Sequence, residues 1–275
     1  VLVPNFKKYK KASDLIHQVF LKYSSKVESV SLDEAYLDVS DAVNATQIGK
    51  KIKDDIFKTT GLIASVGVAP NKFLAKIASD WKKPNGFFVI RPHEVENFVR
   101  DLPVKLIPGV GKIAHQHLES LGIKTCKDLR QCPPEVLALS FGKFSLDLYH
   151  FSRGEDNREV VVEWERKSLS VESTFITDMS ETEEMKLSIE ELLLEMKERL
   201  ERHIQSEPHK KIKKIFVKVK FNDFKQSTAE ESLIPFEYQE GHFNQVANVD
   251  HYFRLLSLAL SRRSGPVRLL GVGVR

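Results

Sequence analysis

Cysteine is scarce in this chain. Its 275 residues contain two, Cys126 and Cys132, which match no zinc-ligand spacing and give no disulfide framework, so both read as packing or surface thiols of a reducing compartment. The nine histidines are scattered, and His115 and His117 have no neighbouring cysteine or acid cluster to make a metal centre. No apolar run is long enough to span a bilayer and no signal peptide opens the sequence. The expectation is a cytoplasmic protein with no membrane partner. Net charge is also small, at +4, so total charge announces no polyanionic ligand. No repeat at a fixed period is present. What remains is the composition of a globular protein, 41% hydrophobic and 29% charged, long enough for two or three domains.

The distribution of charge says more than its sum. Lys210, Lys211, Lys213, Lys214, Lys218 and Lys220 crowd one stretch, and Lys72, Lys76, Lys82 and Lys83 another. Local basic stripes suit phosphate contact; a solvated charge run is the alternative.

Hydrophobic periodicity predicts helices over 7–24, with Ala12, Leu15, Ile16, Val19 and Phe20 inward, and over 45–59, with Ile48, Ile52, Ile56 and Phe57 on one stripe. A strand at 62–68, a helix at 71–80, a Pro84-Asn85-Gly86 turn and a strand at 87–90 follow. Helices with a small antiparallel sheet make this part an α+β layer. Residues 91–158 read as short helices only, and 159–167 as a charged connector. The remainder reads strand 169–176, helix 180–204, strands 211–221 and 227–234, helix 247–260 and strand 266–273. That β-α-β-β-α-β order is a split βαβ arrangement.

Residues 31–38 read Ser-Leu-Asp-Glu-Ala-Tyr-Leu-Asp. Adjacent acids between short strands repel and resist desolvation, and a divalent cation relieves both. Strand alternation places Val30 and Leu32 on one face, to pack beside Leu37 and Val39 as a core face, and would send Asp33 and Glu34 to opposite faces. The two converge on one ion only if the chain turns or bulges near Glu34. A solvated turn with two ordinary acids is the other reading.

Residues 107–112, Ile-Pro-Gly-Val-Gly-Lys, lead into a helix beginning at Ile113. Two glycines around a small apolar residue can turn backbone amides outward at a helix N-terminus, where they bind a phosphate without reading a base. This is a helix-hairpin-helix signature, with an ordinary glycine-rich turn as its alternative. In 71–86, Lys72 and Lys76 share a helix face opposite Phe73, Leu74 and Ile77. That arrangement suits a helix lying between a core and a polyphosphate or DNA strand, although Lys76 and Asp80 also make a plausible surface pair.

In their order, 31–38, 69–86, 107–112 and Arg166-Lys167-Ser168 resemble the motifs of Y-family translesion DNA polymerases, nearest the bacterial branch. Phe141–Phe144, Lys218–Phe221 and Arg268–Val272 extend the likeness along the chain. The resemblance implies a partial, ferredoxin-like palm at 1–90, a small all-α thumb with the helix-hairpin-helix at 91–158, a linker at 159–167 and a split-βαβ little finger at 168–275. It implies Asp33 and Glu34 as two of three catalytic, metal-holding carboxylates, with two Mg²⁺ ions, and Lys83 as a contact to the nucleotide triphosphate. It assigns DNA contacts to Ser31, Lys72, Lys76, Gly109, Val110, Gly111, Lys112, Arg166, Lys167, Ser168, Lys213, Lys218 and Lys220. The implied partners are primer-template DNA, deoxynucleoside triphosphates and a processivity sliding clamp, with the polymerase itself a monomer. The third carboxylate and the fingers belong upstream of Val1 in the family pattern, and neither Asp38 nor Asp80 sits where it should. These residues alone are therefore expected to bind DNA and extend primers poorly. A template-independent nucleotidyl cyclase and a non-enzymatic DNA-holding module are the competing readings; the thumb-like hairpin and basic third region argue against the first.

Overall fold

The computed structural model describes residues 3–162, 166–206, 211–237, 246 and 248–275. Contacts divide the chain into two compact units, Val1–Trp164 and Glu165–Arg275. Within the first, no break separates 1–90 from 91–158. Phe73, Leu74 and Ile77 share one buried cluster with Val99, Leu118, Leu129 and Leu148. Residues 163–165 of the connector, Lys210 and Ala247 lie outside the described residues.

The first unit starts with α1 (Phe6–Phe20), whose Asn5 side chain accepts from the Lys8 amide at 3.0 Å. Its Val19 and Phe20 close a small core with Ile52 and Ile56 of α2 (Ala45–Thr60) and Val27 of β1 (Val27–Ser29). Helix α2 is capped by Asn44 and stops at Gly61, where φ is +72°, a left-handed turn favouring glycine. Strand β1 pairs antiparallel with β2 (Ala35–Leu37). Strand β3 (Val66–Val68) leads to α3 (Lys72–Trp81), capped by Asn71 on the Leu74 amide, and then β4 (Phe87–Val89). Five short helices follow: α4 (Val95–Arg100), α5 (Lys112–Ser120), α6 (Cys126–Gln131), and α7 and α8 (Pro134–Phe141 and Phe144–Phe151). Cys126 is buried among them, which pushes its thiol up to about 12, while Cys132 is half-buried.

Two expectations are corrected. Strands β3 and β4 pair parallel, Val66 opposite Phe87. The connection between them is the right length for a helix and not a hairpin turn, so α3 crosses over and returns the chain in the same direction. Val30 and Leu32 do not form a core face; they are 54% and 39% exposed. The ladder ends at Ser29, and the chain bends before either side chain can alternate inward.

Helix α3 lies unusually close to β3. A methyl group on Gly67 would collide with the Ala75 carbonyl oxygen and the Ser79 amide nitrogen, both backbone atoms of α3. On its far side, Phe73 is fully buried and stacks on Phe151 with ring centroids 4.4 Å apart. The chain after α8 returns to the start of α3. Asn71 donates to the Gly154 carbonyl at 2.7 Å, and the Asp156 carboxylate accepts from the Phe73 amide at 2.9 Å. Further along, the Val161 amide donates to Glu28 at 2.7 Å.

In the second unit, β5 (Leu169–Met179), α9 (Thr182–Ser206), β6 (Lys211–Phe221), β7 (Gln226–Glu237), α10 (Val249–Ser261) and β8 (Val267–Val274) form a four-stranded sheet of order β5-β8-β6-β7. Every pairing is antiparallel, so each crossover helix joins parallel strands with one strand between them. This is the expected β-α-β-β-α-β order. Val171, Ile215, Val217, Val219, Leu270 and Val272 face the helices, against Ile189, Met196, Tyr252 and Leu256.

Two measurements follow from this packing. Gly67→Ala is expected to destabilise the protein by about 2 kcal/mol or more, because the backbone of α3 must move; an unfolding midpoint equal to that of the wild type would show the contact to be soft. Burial acts to raise the Glu28 pKa, but the Lys72 ion pair and the Val161 amide hold it below its usual value of 4.5. Asp156 behaves likewise, its burial outweighed by Arg158 and the Phe73 amide. Depressed folded-state values contribute stability that is complete above the unfolded pKa and lost as pH falls through the folded one. The melting temperature should therefore fall below about pH 4.5. Glu28→Gln should cost about 3 kcal/mol at neutral pH and make that acid fall shallower; an unchanged acid profile would refute the role.

Candidate active site

The acidic turn is built by its backbone and one hydroxyl. The amides of Val30 and Ser31 both donate to the Glu34 carbonyl, at 2.9 and 3.2 Å, closing the loop. The Ser31 hydroxyl donates to Asp33 Oδ1 at 2.6 Å and accepts from the Asp33 and Glu34 amides at 3.3 and 3.1 Å. Serine suits this position because its short side chain can satisfy turn amides and orient a neighbour. The chain bends between Ser29 and Ala35, where the alternation argument requires it.

Helix α3 supplies the opposing charge. Lys76 Nζ lies 2.5 Å from Glu34 Oε1 and 3.4 Å from Asp80 Oδ2, and Lys83 Nζ lies 2.5 Å from Asp80 Oδ1. Four groups of alternating sign thus run Glu34, Lys76, Asp80, Lys83. Burial works to lower the Lys76 pKa, but its two carboxylates raise it overall. Burial works to raise that of Asp80, and Lys83 with Lys76 lowers it. One helical turn earlier, Lys72 is enclosed, with its side chain 11% exposed. Its ammonium donates to both oxygens of Glu28, at 2.7 and 2.6 Å, and to the Glu159 carbonyl at 3.1 Å, and it sits 5.2 Å from the centre of the Tyr36 ring. Desolvation raises the Tyr36 phenol.

This donor set fits a magnesium ion. Mg²⁺ takes hard oxygen ligands, keeps several waters and needs one or two carboxylates beside substrate phosphates. Asp33 and Glu34 are two such groups at an accessible turn, and the Lys76 ammonium on Glu34 shows that this carboxylate already accepts a cation. Among the described residues no group of three acids, histidines or cysteines converges.

The glycine-rich turn also has the expected shape. Gly109 has φ +93°, and a side chain there would meet the Phe144 ring at 2.9 Å. The Val110 amide is taken by Ile107 and the Gly111 amide by Gly109. Gly111 begins α5 with no side-chain cap, so the first-turn amides from Lys112 onward face an open groove lined by Gly111, Lys112, Ile113, His117 and Phe141.

In the second unit, Arg166, Lys167 and Ser168 border a cavity with Leu200 and Ile212. The Lys213 amide donates to the Arg275 carbonyl at 2.6 Å. Lys218 pairs with Glu172 at 2.7 Å across the sheet. Lys220 lies 5.2 Å from the Phe224 ring centre. Lys214 and Arg275 both pair with Glu230. Glu28, Glu172 and Glu230 carry none of the roles drawn from the sequence. Glu28 alternates correctly with Tyr36 across β1–β2, but Glu172 reaches Lys218 only because β8 lies between their strands, a neighbourhood no local pattern encodes.

Comparison with known proteins supplies the context for this geometry. Residues 1–80 match the impB/mucB/samB family, 105–156 the thumb domain of DNA polymerase-iota, and 166–275 the impB/mucB/samB C-terminal domain. The whole chain aligns with DNA polymerase IV of Pseudomonas putida at 44% identity over 75% of that protein. It aligns with those of Mannheimia succiniciproducens and Protochlamydia amoebophila at 42% over 76%. Among solved structures, a Y-family DNA polymerase chimera of Dbh and Dpo4 superposes with a TM-score of 0.85 at 27% identity, covering 98% of this chain and 76% of the chimera. An insertion ternary complex of Dbh DNA polymerase gives 0.60 at 26% identity, covering 98% and 76%. No helix among the described residues is long and apolar enough to cross a membrane. The matches thus run along the whole length in which the acidic turn, the glycine hairpin and the split-βαβ sheet lie, and the chain belongs to the impB/mucB/samB family of Y-family DNA polymerases.

Proposed function

We propose that this chain carries out template-directed DNA synthesis of the translesion type, adding deoxynucleotides to a primer 3′-hydroxyl. The observation that carries this reading is the Ser31–Glu34 turn, in which Ser31 bonds Asp33 and the adjacent Glu34 pairs with Lys76 of α3. In the transfer, the 3′-oxygen forms a bond to the α-phosphorus, the bond from that phosphorus to the β-phosphate breaks, and pyrophosphate leaves. Two magnesium ions held by Asp33 and Glu34 would supply charge neutralisation and an acidified hydroxyl. The protein's own part is placement. Ser31 fixes the rotamer of Asp33, and Lys76 holds the Glu34 carboxylate beside α3. Lys83 lies on the exposed end of the charge chain, where an ammonium can meet a triphosphate.

We assign 1–90 as palm, 91–158 as thumb, 159–167 as linker and 168–275 as little finger. The Gly109–Lys112 turn grips a phosphate of the primer strand through the first-turn amides of α5 from Lys112 onward, with Gly109, Val110 and Gly111 shaping the turn. Arg166, Lys167, Ser168, Lys213, Lys218 and Lys220 form the basic surface for the duplex. Lys72 holds β1 to α3 and leaves phosphate contact to Lys76 and its neighbours.

Primer extension tests the reading directly. The 275 residues should bind primed duplex and extend it only when magnesium is present; failure to incorporate any nucleotide would overturn the account. Asp33→Ala should slow extension by about three decades and leave duplex affinity within about twofold. A mere DNA-holding module would show no magnesium-dependent extension in either protein. Affinity for duplex should fall steeply between low and moderate salt with little sequence preference.

A further inference from the structure

The outward face of the second unit's sheet is not uniformly basic. Strand β6 sends Ile215, Val217, Val219 and Phe221 toward the helices and Phe216, Lys218 and Lys220 to the other side. Over most of that face the cations are already matched. Lys214 and Arg275 share Glu230, Lys218 has Glu172, and the Arg275 guanidinium covers the Phe216 ring at 4.8 Å.

The hairpin joining β6 to β7 differs. Phe224 stands at its tip, 65% exposed, with φ at +65°. A bulky residue in left-handed backbone is strained where glycine would not be, and an exposed phenyl gains little from burial. Both preferences disfavour phenylalanine here, yet the tip is rigidly made. The Phe224 amide donates to Phe221 at 2.9 Å, the Phe221 amide to Lys225 at 2.9 Å, and the Lys225 amide to Asp223 Oδ1 at 3.1 Å. Lys220 Nζ and Arg268 Cζ lie 5.2 and 5.3 Å from the ring centre. Among the described residues no carboxylate pairs with Lys220, Lys225 or Arg268, while Asp223 is taken by Arg263.

An exposed aromatic held out on a strained, well-bonded turn between unneutralised cations matches one chemistry closely. We propose that Phe224 is a stacking platform for an unpaired nucleotide of the bound DNA, with Lys220 and Arg268 on the phosphates to either side. A base that takes the ring face releases both cations from their contact with the phenyl. A paired base offers no free face to the ring, since its neighbours in the duplex cover both, so the site selects single-stranded DNA. This deepens the polymerase reading, on which it rests, by naming a contact for strand that is not yet, or no longer, in duplex.

Fluorescence anisotropy with the 275-residue chain tests it, using a labelled thymidine 12-mer and a duplex of the same length. Phe224→Ala should weaken binding of the single strand about tenfold and change duplex binding by less than about twofold. Phe224→Trp should restore the single-strand affinity. Phe224→Gly should lose it to the same extent while leaving the unfolding midpoint equal or higher, because glycine relieves the backbone; a purely structural ring would lower the midpoint. Replacing Lys220 and Arg268 together with alanine should reduce the single-strand salt slope by roughly 1.4. Single-strand affinity unchanged in Phe224→Ala, or lost equally for both DNA forms, would overturn the platform alone. Failure of the unaltered chain to bind either form would overturn the platform and the polymerase reading together.

Discussion

The enclosed ion pair between Lys72 and Glu28 is the interaction on which the site depends. An ammonium with so little exposure is tolerable only beside a carboxylate, and removing either partner leaves a charge that the surroundings cannot solvate. The pair also stands at a junction. Strand β1 belongs to the small apolar cluster of α1 and α2, whereas α3 belongs to the larger one shared with α4 to α8. The β1–β2 and β3–β4 ladders are separate sheets. Where the acidic turn meets α3, then, polar contacts do the aligning that a continuous core would do elsewhere. With Lys72 fixed on Glu28, Lys76 comes one helical turn later onto Glu34, and the spacing of two lysines on a helix is matched to two acids on a hairpin.

The second unit shows the complementary use of charge. Its lysine-rich strand looks in sequence like an unbroken cationic stripe, but carboxylates from β5 and β7 neutralise Lys218 and Lys214 in place. A phosphate arriving at those positions has to exchange one partner for another, so the gain per contact is smaller than a free lysine would give. The same pairs hold long side chains upright on an otherwise open sheet face. The contrast between matched and unmatched cations along one strand divides the surface into a scaffold and a tip.

Much of this was legible from residue order. The apolar periodicity located α1, α2 and α3, and the β-α-β-β-α-β succession was readable because each of its elements is long and strongly patterned. The acidic turn could be inferred from a contradiction: alternation would have separated Asp33 and Glu34, so their joint use demanded a bend. Other features were hidden for definite reasons. Val30 and Leu32 look like strand residues by type, yet the hydrogen bonds of the turn end the ladder before them. The parallel pairing of β3 and β4 depends on α3 acting as a crossover, which local sequence does not declare. Lys72 and Lys76 are indistinguishable by spacing; only the position of Glu28 and of the returning segment at 159–161 makes one enclosed and the other accessible. Phe224 carried no signal at all, because its meaning lies in its backbone angle and in Arg268 from a distant strand.

The absence of a side chain at Gly67 sets a limit on how this molecule can vary. Backbone against backbone leaves α3 no freedom to slide or roll along β3, so the helix acts as a fixed ruler for everything mounted on it. Substitutions on its outer face can alter charge and chemistry without shifting the frame. A single methyl beneath it would displace every reagent-bearing position at once. Divergence among relatives should therefore be wide on the surface of α3 and nearly nil at the one residue that contributes no atoms to the site.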